Sequence, residues 1–549
     1  MNNLLRHLKV YFNSCQSSIV KVLSKYTVYT VGSVVIINII LAAVALLKDM
    51  FLTSYFGTSA QADAFLLAYF LPDAAGNNLL AFSLGIACVP VFSKILIANQ
   101  PCRLKLVITS ITIYSIFFTS LLLVFSCLFR NNIIHGLGAG FSEDTCDLCI
   151  KLFLIILPSA VVFLVISIGT AVLQVHNIFN IPALAPVLFN FIFLAGILFS
   201  CLLQLPALQG VYILAVTVLL GVIAEFFLIF HAIRRYRINI WARLRFKELV
   251  KPSADIKELF KIFLPYIIIL LSYQVVYSVE RYLASSLELG SVAGLSYAFR
   301  LSQFPLWVFV SAIGTVALPY MSKATGLGND NDLKDILLKS IRMILILTLP
   351  LTSCFFVLRV PIVSILFQRG AFDANSVQIT AGILTGYSLT IVTQGIVIIC
   401  TRAFLAANRV MAPLLAAIVS SIVNIYLDFL LVNIMGAPGL GYGASIGSLL
   451  NCLLIIFFIN RLFKLAIQKQ LWDLAKILTA NIPFFATVYL FSKAWCLIEL
   501  AHRPEVRPGY TIILVIVCFS VYLMSLRMLK VNLHISKTII DRKNSYEKN

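Results

Sequence analysis

Residues 211–231 read VYILAVTVLLGVIAEFFLIFH, a run of 21 residues with one formally charged side chain, Glu225. A helix of that length spans the roughly 30 Å of hydrocarbon in a bilayer. Directly after it come Arg234, Arg235, Arg237, Arg243, Arg245, Lys247 and Lys251. Basic residues gather in cytoplasmic loops, so this run is expected to leave the membrane on the cytoplasmic side. Glu225 needs its own account. A neutral acid, hydrogen-bonded between packed helices, is the modest expectation for it.

Working outward, the pattern repeats. Fourteen such spans are expected at 26–47, 62–93, 106–128, 146–174, 182–203, 211–231, 259–286, 290–321, 334–358, 374–404, 412–434, 441–463, 474–498 and 508–529. The chain has 549 residues, of which 12% are charged. A soluble protein carries about 25%. Alternating segments of the β-barrel kind are absent. The fold class is therefore an all-α polytopic membrane protein. The net charge of +20 would suggest nucleic acid in a soluble chain. Here the basic residues sit between spans, where orientation and anionic lipid headgroups explain them. Nucleic acid is excluded as a partner on that ground. Arg6, Lys9, Lys21 and Lys25 precede the first span, and no cleavable leader is evident. An even number of spans with this charge bias puts both termini in the cytoplasm.

An internal repeat organises the spans. Asp49-Met50-Phe51-Leu52-Thr53-Ser54 matches Glu280-Arg281-Tyr282-Leu283-Ala284-Ser285, and Asn177 and Pro182 match Asn408 and Pro413, at an offset near 231. Two parallel six-helix lobes follow, with alternating access as the expected mode of action. The expected division is a cytoplasmic segment 1–25, an N-lobe 26–231, a basic linker 232–258 and a C-lobe 259–463. Two further spans with their preceding loop occupy 464–529, and 530–549 is a basic tail. Pro72 and Pro305 interrupt spans two and eight, where a lost helical N–H predicts a kink.

Charges inside spans are costly and mark cavities or partners. The candidates are Lys48, Asp49, Asp63, Glu225, Glu280, Arg281, Arg300, Arg402 and Asp428. Arg300, five residues before Pro305, reads as a cavity guanidinium for phosphate, or else as an interfacial arginine reaching for water. Lys48 and Asp63 flank the first outside turn, and Asp63 is expected to pair with a cavity cation. Arg402 lies near the cytoplasmic end of span ten, with a cavity role or a snorkelling one. Asn424 and Asp428 share a helix face at i and i+4, and Glu280 converges with them. Such oxygens suit a sodium ion or a proton. The alternatives are Glu280 neutralised by Arg281 and Asp428 simply near a span end. No P-loop, nucleophile elbow or zinc motif appears, so a transporter is expected and not an enzyme, with no cofactor. The twelve cysteines are mostly single core residues. Cys146-x-x-Cys149 leaves a local disulfide open.

The stretches Tyr55-Phe56-Gly57 through Asp63-Ala64-Phe65, Asn177 to Pro182, Ser296-Tyr297-Ala298-Phe299-Arg300 to Pro305, Leu366-Phe367-Gln368-Arg369-Gly370-Ala371-Phe372-Asp373, and Arg402-Ala403-Phe404 together resemble the lipid II flippase (MurJ/MviN) family of the MOP superfamily. The likeness runs from about residue 30 to 465. It implies fourteen helices, a central cationic cavity and export of an undecaprenyl-pyrophosphate-linked cell-wall precursor across the inner membrane. It assigns substrate contacts to Arg300 and Asp63, and to Lys48 where the family has arginine. Arginines of the family pattern fall at Ala42 and near Gly76, so this cavity is less cationic, and Arg281 is a candidate to compensate. The resemblance also implies sodium binding at Glu280, Asn424 and Asp428, and a lipid-tail groove on spans thirteen and fourteen. The expected activity is lipid II translocation. A flippase for another polyprenyl-linked glycan and an ion-coupled exporter of small amphipathic compounds are the alternatives.

Overall fold

The computed structural model describes residues 33–34, 36–242, 253–326, 330–407, 409–463, 467–500 and 507–529. The expected segment 1–25, the basic tail, Arg243, Arg245, Lys247 and Lys251 lie outside these residues. Fourteen long helices follow one another: α1 Ile36–Phe56, α2 Ala60–Ile97, α3 Pro101–Leu128, α4 Glu143–Val175, α5 Asn180–Leu202, α6 Ala207–Arg235, α7 Ala254–Ser285, α8 over 291–326, α9 Asp330–Val357, α10 Ala374–Ala406, α11 Met411–Met435, α12 Pro438–Phe463, α13 Ile467–Leu500 and α14 Arg507–Met528. Among the described residues, twelve helical segments are long and apolar enough to cross a membrane. The architecture is two six-helix lobes, α1–α6 and α7–α12, with α13 and α14 added beside α9.

The repeat has a structural signature. Pro72 ends the α-helical part of α2 and a π-helix, Asp73–Ala81, follows; Pro305 does the same in α8, ahead of a π-helix over Leu306–Val310. Neither rod breaks. The wider turns absorb the missing donor and continue the helix. Short helices Arg130–Leu137 and Arg359–Phe367, which hydropathy did not reveal, follow α3 and α9 at matching places.

α1 corrects the sequence reading. It runs on to Phe56, so Lys48 lies about 12 Å inside the helix end at 1.5 Å per residue and does not flank the turn. The charge looked like a span end, but its partners let it stay inside.

The face carrying the 57–59 turn is called outer, following the loop charges. One apolar core runs through the N-lobe and on into the outer half of the C-lobe, taking in Val292, Tyr297, Phe367, Phe372, Ile383 and Leu440. The inner half of the C-lobe has a separate core, with Val310, Met321, Ile344, Cys400 and Ile459. A third joins α13 and α14 to α9 through Phe484, Tyr522 and Ile346. The lobes therefore share packing at their outer ends. On the inner side, residues 311–326 of α8 pack on α9 and α10, and Phe82–Ile97 of α2 packs on α3, α4 and α7. α7 belongs to both sides of the gap: it packs along α2 and also on α11.

Candidate functional site: a charged gap between the lobes

The outer seal is built from backbone. Gly57 and Gly370 have φ of 57°, and Gly290 has φ of 88°, values that glycine adopts without strain. A Cβ on Gly57 would meet the Ala371 carbonyl oxygen at 2.2 Å, and one on Gly290 the Thr58 carbonyl oxygen at 2.4 Å. The Ala371 N–H donates to the Ser54 carbonyl at 2.8 Å, and the Tyr297 hydroxyl to the Gly57 carbonyl at 3.2 Å. Thr58 and Ser376 hydroxyls meet at 2.8 Å. Asp373 caps α10: the Ser376 N–H, then its hydroxyl, hold this exposed carboxyl below the ordinary range.

Asp63 bolts this seal. Its Oδ2 accepts the Gly290 N–H at 2.8 Å and its Oδ1 the Ala293 N–H at 2.7 Å. Both oxygens thus satisfy free donors at the start of α8, where a helix dipole also favours negative charge. The structure corrects the expected task of Asp63: among the described residues it pairs with no cation, and each oxygen instead accepts an N–H at the start of α8.

Below the seal, Arg300 of α8 faces α1 across the boundary between the lobes. Its Nη1 donates to Asp49 Oδ1 of α1, a bond from one lobe to the other. Lys48 Nζ stands 3.5 Å from the same oxygen and 5.0 Å from the Phe193 ring centre. Lys48 and Asp49 are both buried. The sequence made Asp49 a candidate by its charge but gave it no role; its repeat match to Glu280 was the available signal. Arg281 joins from α7. Its guanidinium lies 3.7 Å from the centre of the Phe70 ring of α2, Nη1 donates to the Tyr277 carbonyl at 2.9 Å, and buried Nε has no hydrogen-bond partner. Lys48 and Arg281 each lie within electrostatic range of Arg300. Arg402 is elsewhere. Its guanidinium lies against Gly314, fourteen residues beyond Arg300 on α8, or about 20 Å along the helix. Arg402 therefore does not join the Arg300 cluster.

A second polar set lies within the C-lobe. Glu280 Oε2 accepts from the Tyr387 hydroxyl at 2.6 Å, while Glu280 Oε1, Asn424 Oδ1 and both Asp428 oxygens are buried without hydrogen-bond partners. Arg281 makes no ion pair with Glu280, so tyrosine does the work that sequence offered to arginine. Asp428 is wholly buried, not at a span end. A Cβ on Gly443 would stand 2.0 Å from Asp428 Oδ1, and one on Gly447 2.7 Å from Asn424 Cβ. These two glycines of α12 make the room, and sequence gave no reason to single them out. Unpartnered buried oxygens are costly, and this donor set, two carboxylates and an amide oxygen, fits a small monovalent cation or a proton. No group of three or more His, Cys, Asp or Glu suited to a metal ion occurs among the described residues.

One other expectation changes, and one open alternative is decided. Glu225 is buried, yet no side chain or backbone group among the described residues hydrogen-bonds it. Cys146 and Cys149 are free thiols buried in the first turns of α4.

Against known proteins, the chain matches the family described as lipid II flippase MurJ over residues 52–515. It is 25% identical over 425 residues to a probable lipid II flippase MurJ of Buchnera aphidicola, covering 77% of this chain and 82% of that one. It is 24% identical to the lipid II flippase MurJ of Burkholderia cenocepacia, covering 76% and 80% of the two chains. A solved lipid II flippase MurJ in an inward closed conformation superposes with a TM-score of 0.70 at 24% identity, over 90% of this chain and 97% of that one. An inward-facing multidrug resistance MATE transporter of the MOP superfamily has a TM-score of 0.66 at 16% identity, over 78% and 98%, which shows the shared fold alone. With two lobes, a set of basic side chains where they meet and a family match across most of its length, this multi-pass inner-membrane chain belongs to the lipid II flippase MurJ family.

Proposed function

We propose that this chain moves lipid II, the polyprenyl-pyrophosphate-linked peptidoglycan precursor, from the inner to the outer leaflet by alternating access, with both termini in the cytoplasm. The observation that carries this is the Arg300 guanidinium, held in the gap between the lobes by Asp49 beside Lys48. A pyrophosphate is expensive to strip of water unless fixed cations replace it. With the outer ends packed together, the headgroup enters from the cytoplasmic side. There it competes with Asp49 for Arg300. Winning that competition removes a bond between α1 and α8, which loosens the outer seal and favours opening outward. Binding is thereby tied to the conformational change. The prenyl tail stays in lipid along α13 and α14.

The oxygens of Glu280, Asn424 and Asp428 supply the coupling site for sodium or a proton. Tyr387 holds one Glu280 oxygen in place and leaves the other for the ion. Membrane potential contributes as well, at about 2.3 kcal/mol per charge per 100 mV.

The test is replacement of the native flippase in a depletion strain. Growth should be restored, lipid II should stop accumulating in the inner leaflet, and lipid II should be the lipid that co-purifies. A different polyprenyl-linked glycan in the purified protein, with no rescue, would overturn the substrate.

A further inference from the structure

A line of polar groups continues inward from the Glu280, Asn424 and Asp428 set. On α12, Gly443 lies against the Asp428 carboxylate and Gly447 against the Asn424 side chain, and Asn451 follows at the next turn. A spacing of four puts all three on one face, each about 6 Å along the axis from the last. Asn451 is 5% exposed. Its Nδ2 donates to the Tyr273 hydroxyl oxygen of α7 at 3.0 Å, and its buried Oδ1 has no hydrogen-bond partner. Tyr273 lies seven residues before Glu280, on the same face of α7 and about 10 Å nearer the inner end. α7 and α12 therefore place the Asn451 amide at the same level, just below the set. Further in, Tyr273 packs on Ile269, Leu414 and Ala417, a small apolar cluster of α7 and α11. On the outward side, Ile383, Leu440 and Ala444 belong to the core that closes the outer end.

We infer that Asn451, held by Tyr273, is a second cation station on the inner side of this set, through which a small monovalent cation passes between the set and the cytoplasmic side. The inference rests on the coupling role proposed for the set. A buried amide oxygen without a partner is costly, and a hard cation is the occupant that such an oxygen satisfies. A proton is the poorer occupant, because a neutral amide holds none near pH 7. An anion does not fit, since the unpartnered atom is an acceptor. Tyr273 is a positioning residue: its hydroxyl takes the Nδ2 edge and so fixes which way Oδ1 points. Asn451 carries no charge, so it holds the ion more weakly than Glu280 and Asp428 do. A stop on a path needs that balance, with binding favourable enough to enter and weak enough to leave. The Ile269, Leu414 and Ala417 cluster closes the inner end of the line in this structure. The ion exchanges when α7 and α11 part there.

The experiment uses the full chain in nanodiscs, as wild type, Asn451→Leu, Tyr273→Phe and Asp428→Asn, with radioactive sodium as the probe. Equilibrium binding and the rate of release into unlabelled sodium are both measured. Asn451→Leu should slow uptake and release together by about tenfold, as expected for one lost contact to a charged group, while the dissociation constant changes by less than about threefold. Tyr273→Phe keeps the ring and frees the amide, and should act in the same direction by a smaller factor; it decides the matter if Asn451→Leu does not fold. Asp428→Asn should instead weaken equilibrium binding. Exchange at the wild-type rate in Asn451→Leu, or a rate change that only follows a change in dissociation constant, would overturn the station and leave the oxygen set standing. If wild type binds no sodium, the oxygen set falls as a sodium site and the station falls with it.

Discussion

The outer and inner ends of the gap between the lobes are built differently. At the outer end one apolar core is continuous across both lobes, and backbone groups touch where Gly57, Gly290 and Gly370 leave no room for a Cβ. At the inner end the C-lobe has its own core, and the links to the N-lobe run through α7: Lys94 to Glu258 at 2.8 Å and Arg103 to Asp255 at 2.6 Å. Packing and buried backbone bonds close one end, whereas at the other, among the described residues, α7 alone is tied to the N-lobe, by two ion pairs and by the buried side chains of Ile256 and Leu259. The Lys94–Glu258 pair is exposed and contributes little, whereas Asp255 is buried and accepts from Arg103 through both oxygens; the outer end is the one that is shut in this structure. Between the two ends sits the Arg300–Asp49 bond, the point at which the proposed headgroup would act on the outer end.

That contrast can be broken or sharpened by substitution. The largest effect is expected for Arg300→Ala. It removes both the bond between the lobes and the phosphate contact, and lipid II transport should fall by roughly 100-fold or more, about 3 kcal/mol of a charge-assisted pair. Complementation at matched protein level measures it, and Arg300→Lys should fall between the two. Asp63→Ala comes next. It leaves the Gly290 and Ala293 N–H groups unpaired and should shift the outer end towards open by about 2–3 kcal/mol. Thiol labelling of a cysteine introduced at Thr58 reports this as increased reactivity from outside; unchanged labelling would mean that Asp63 is not the bolt.

Gly57→Ala should open the outer end by a smaller margin, because a left-handed backbone with a side chain costs roughly 1–2 kcal/mol even after Ala371 gives way. Gly136→Ala is its control. Nothing lies within 4 Å of a Cβ there, so labelling should not change. The smallest effect belongs to the inner end: Glu258→Gln should alter the balance by under about 1 kcal/mol. A larger loss of transport would show that the inner ion pairs matter as much as the outer packing.

The C-lobe oxygen set invites a separate test. Asp428→Asn should abolish any dependence of transport on a sodium or proton gradient while the protein remains in the membrane. Sodium- and pH-dependent rates equal to those of wild type would remove the coupling role.

Much of this was legible beforehand. Helices α2 to α12 could be placed by hydropathy because a bilayer demands long apolar runs whatever their neighbours. Asp428 and Asn424 were visible as a pair because helical spacing alone puts them on one face. Lys48 was misplaced, since a charge reads as a span end unless its partner is known, and that partner, Asp49, reaches Arg300 only once α1 and α8 meet. Asp63 was visible as important but not as a cap, because the N–H groups it satisfies belong to residues 227 and 230 positions away. Tyr387 and Gly443 carried no local signal.

By itself, then, the sequence determined an all-α membrane chain, its doubled plan and the charged residues that need an explanation, because hydropathy, repetition and the cost of a charge in lipid are properties of the local chain. Only the tertiary structure decided which charges meet, which end of the gap is shut and which buried oxygens are left without a partner. Those outcomes depend on distances between helices far apart in the chain, and no spacing along one helix encodes them.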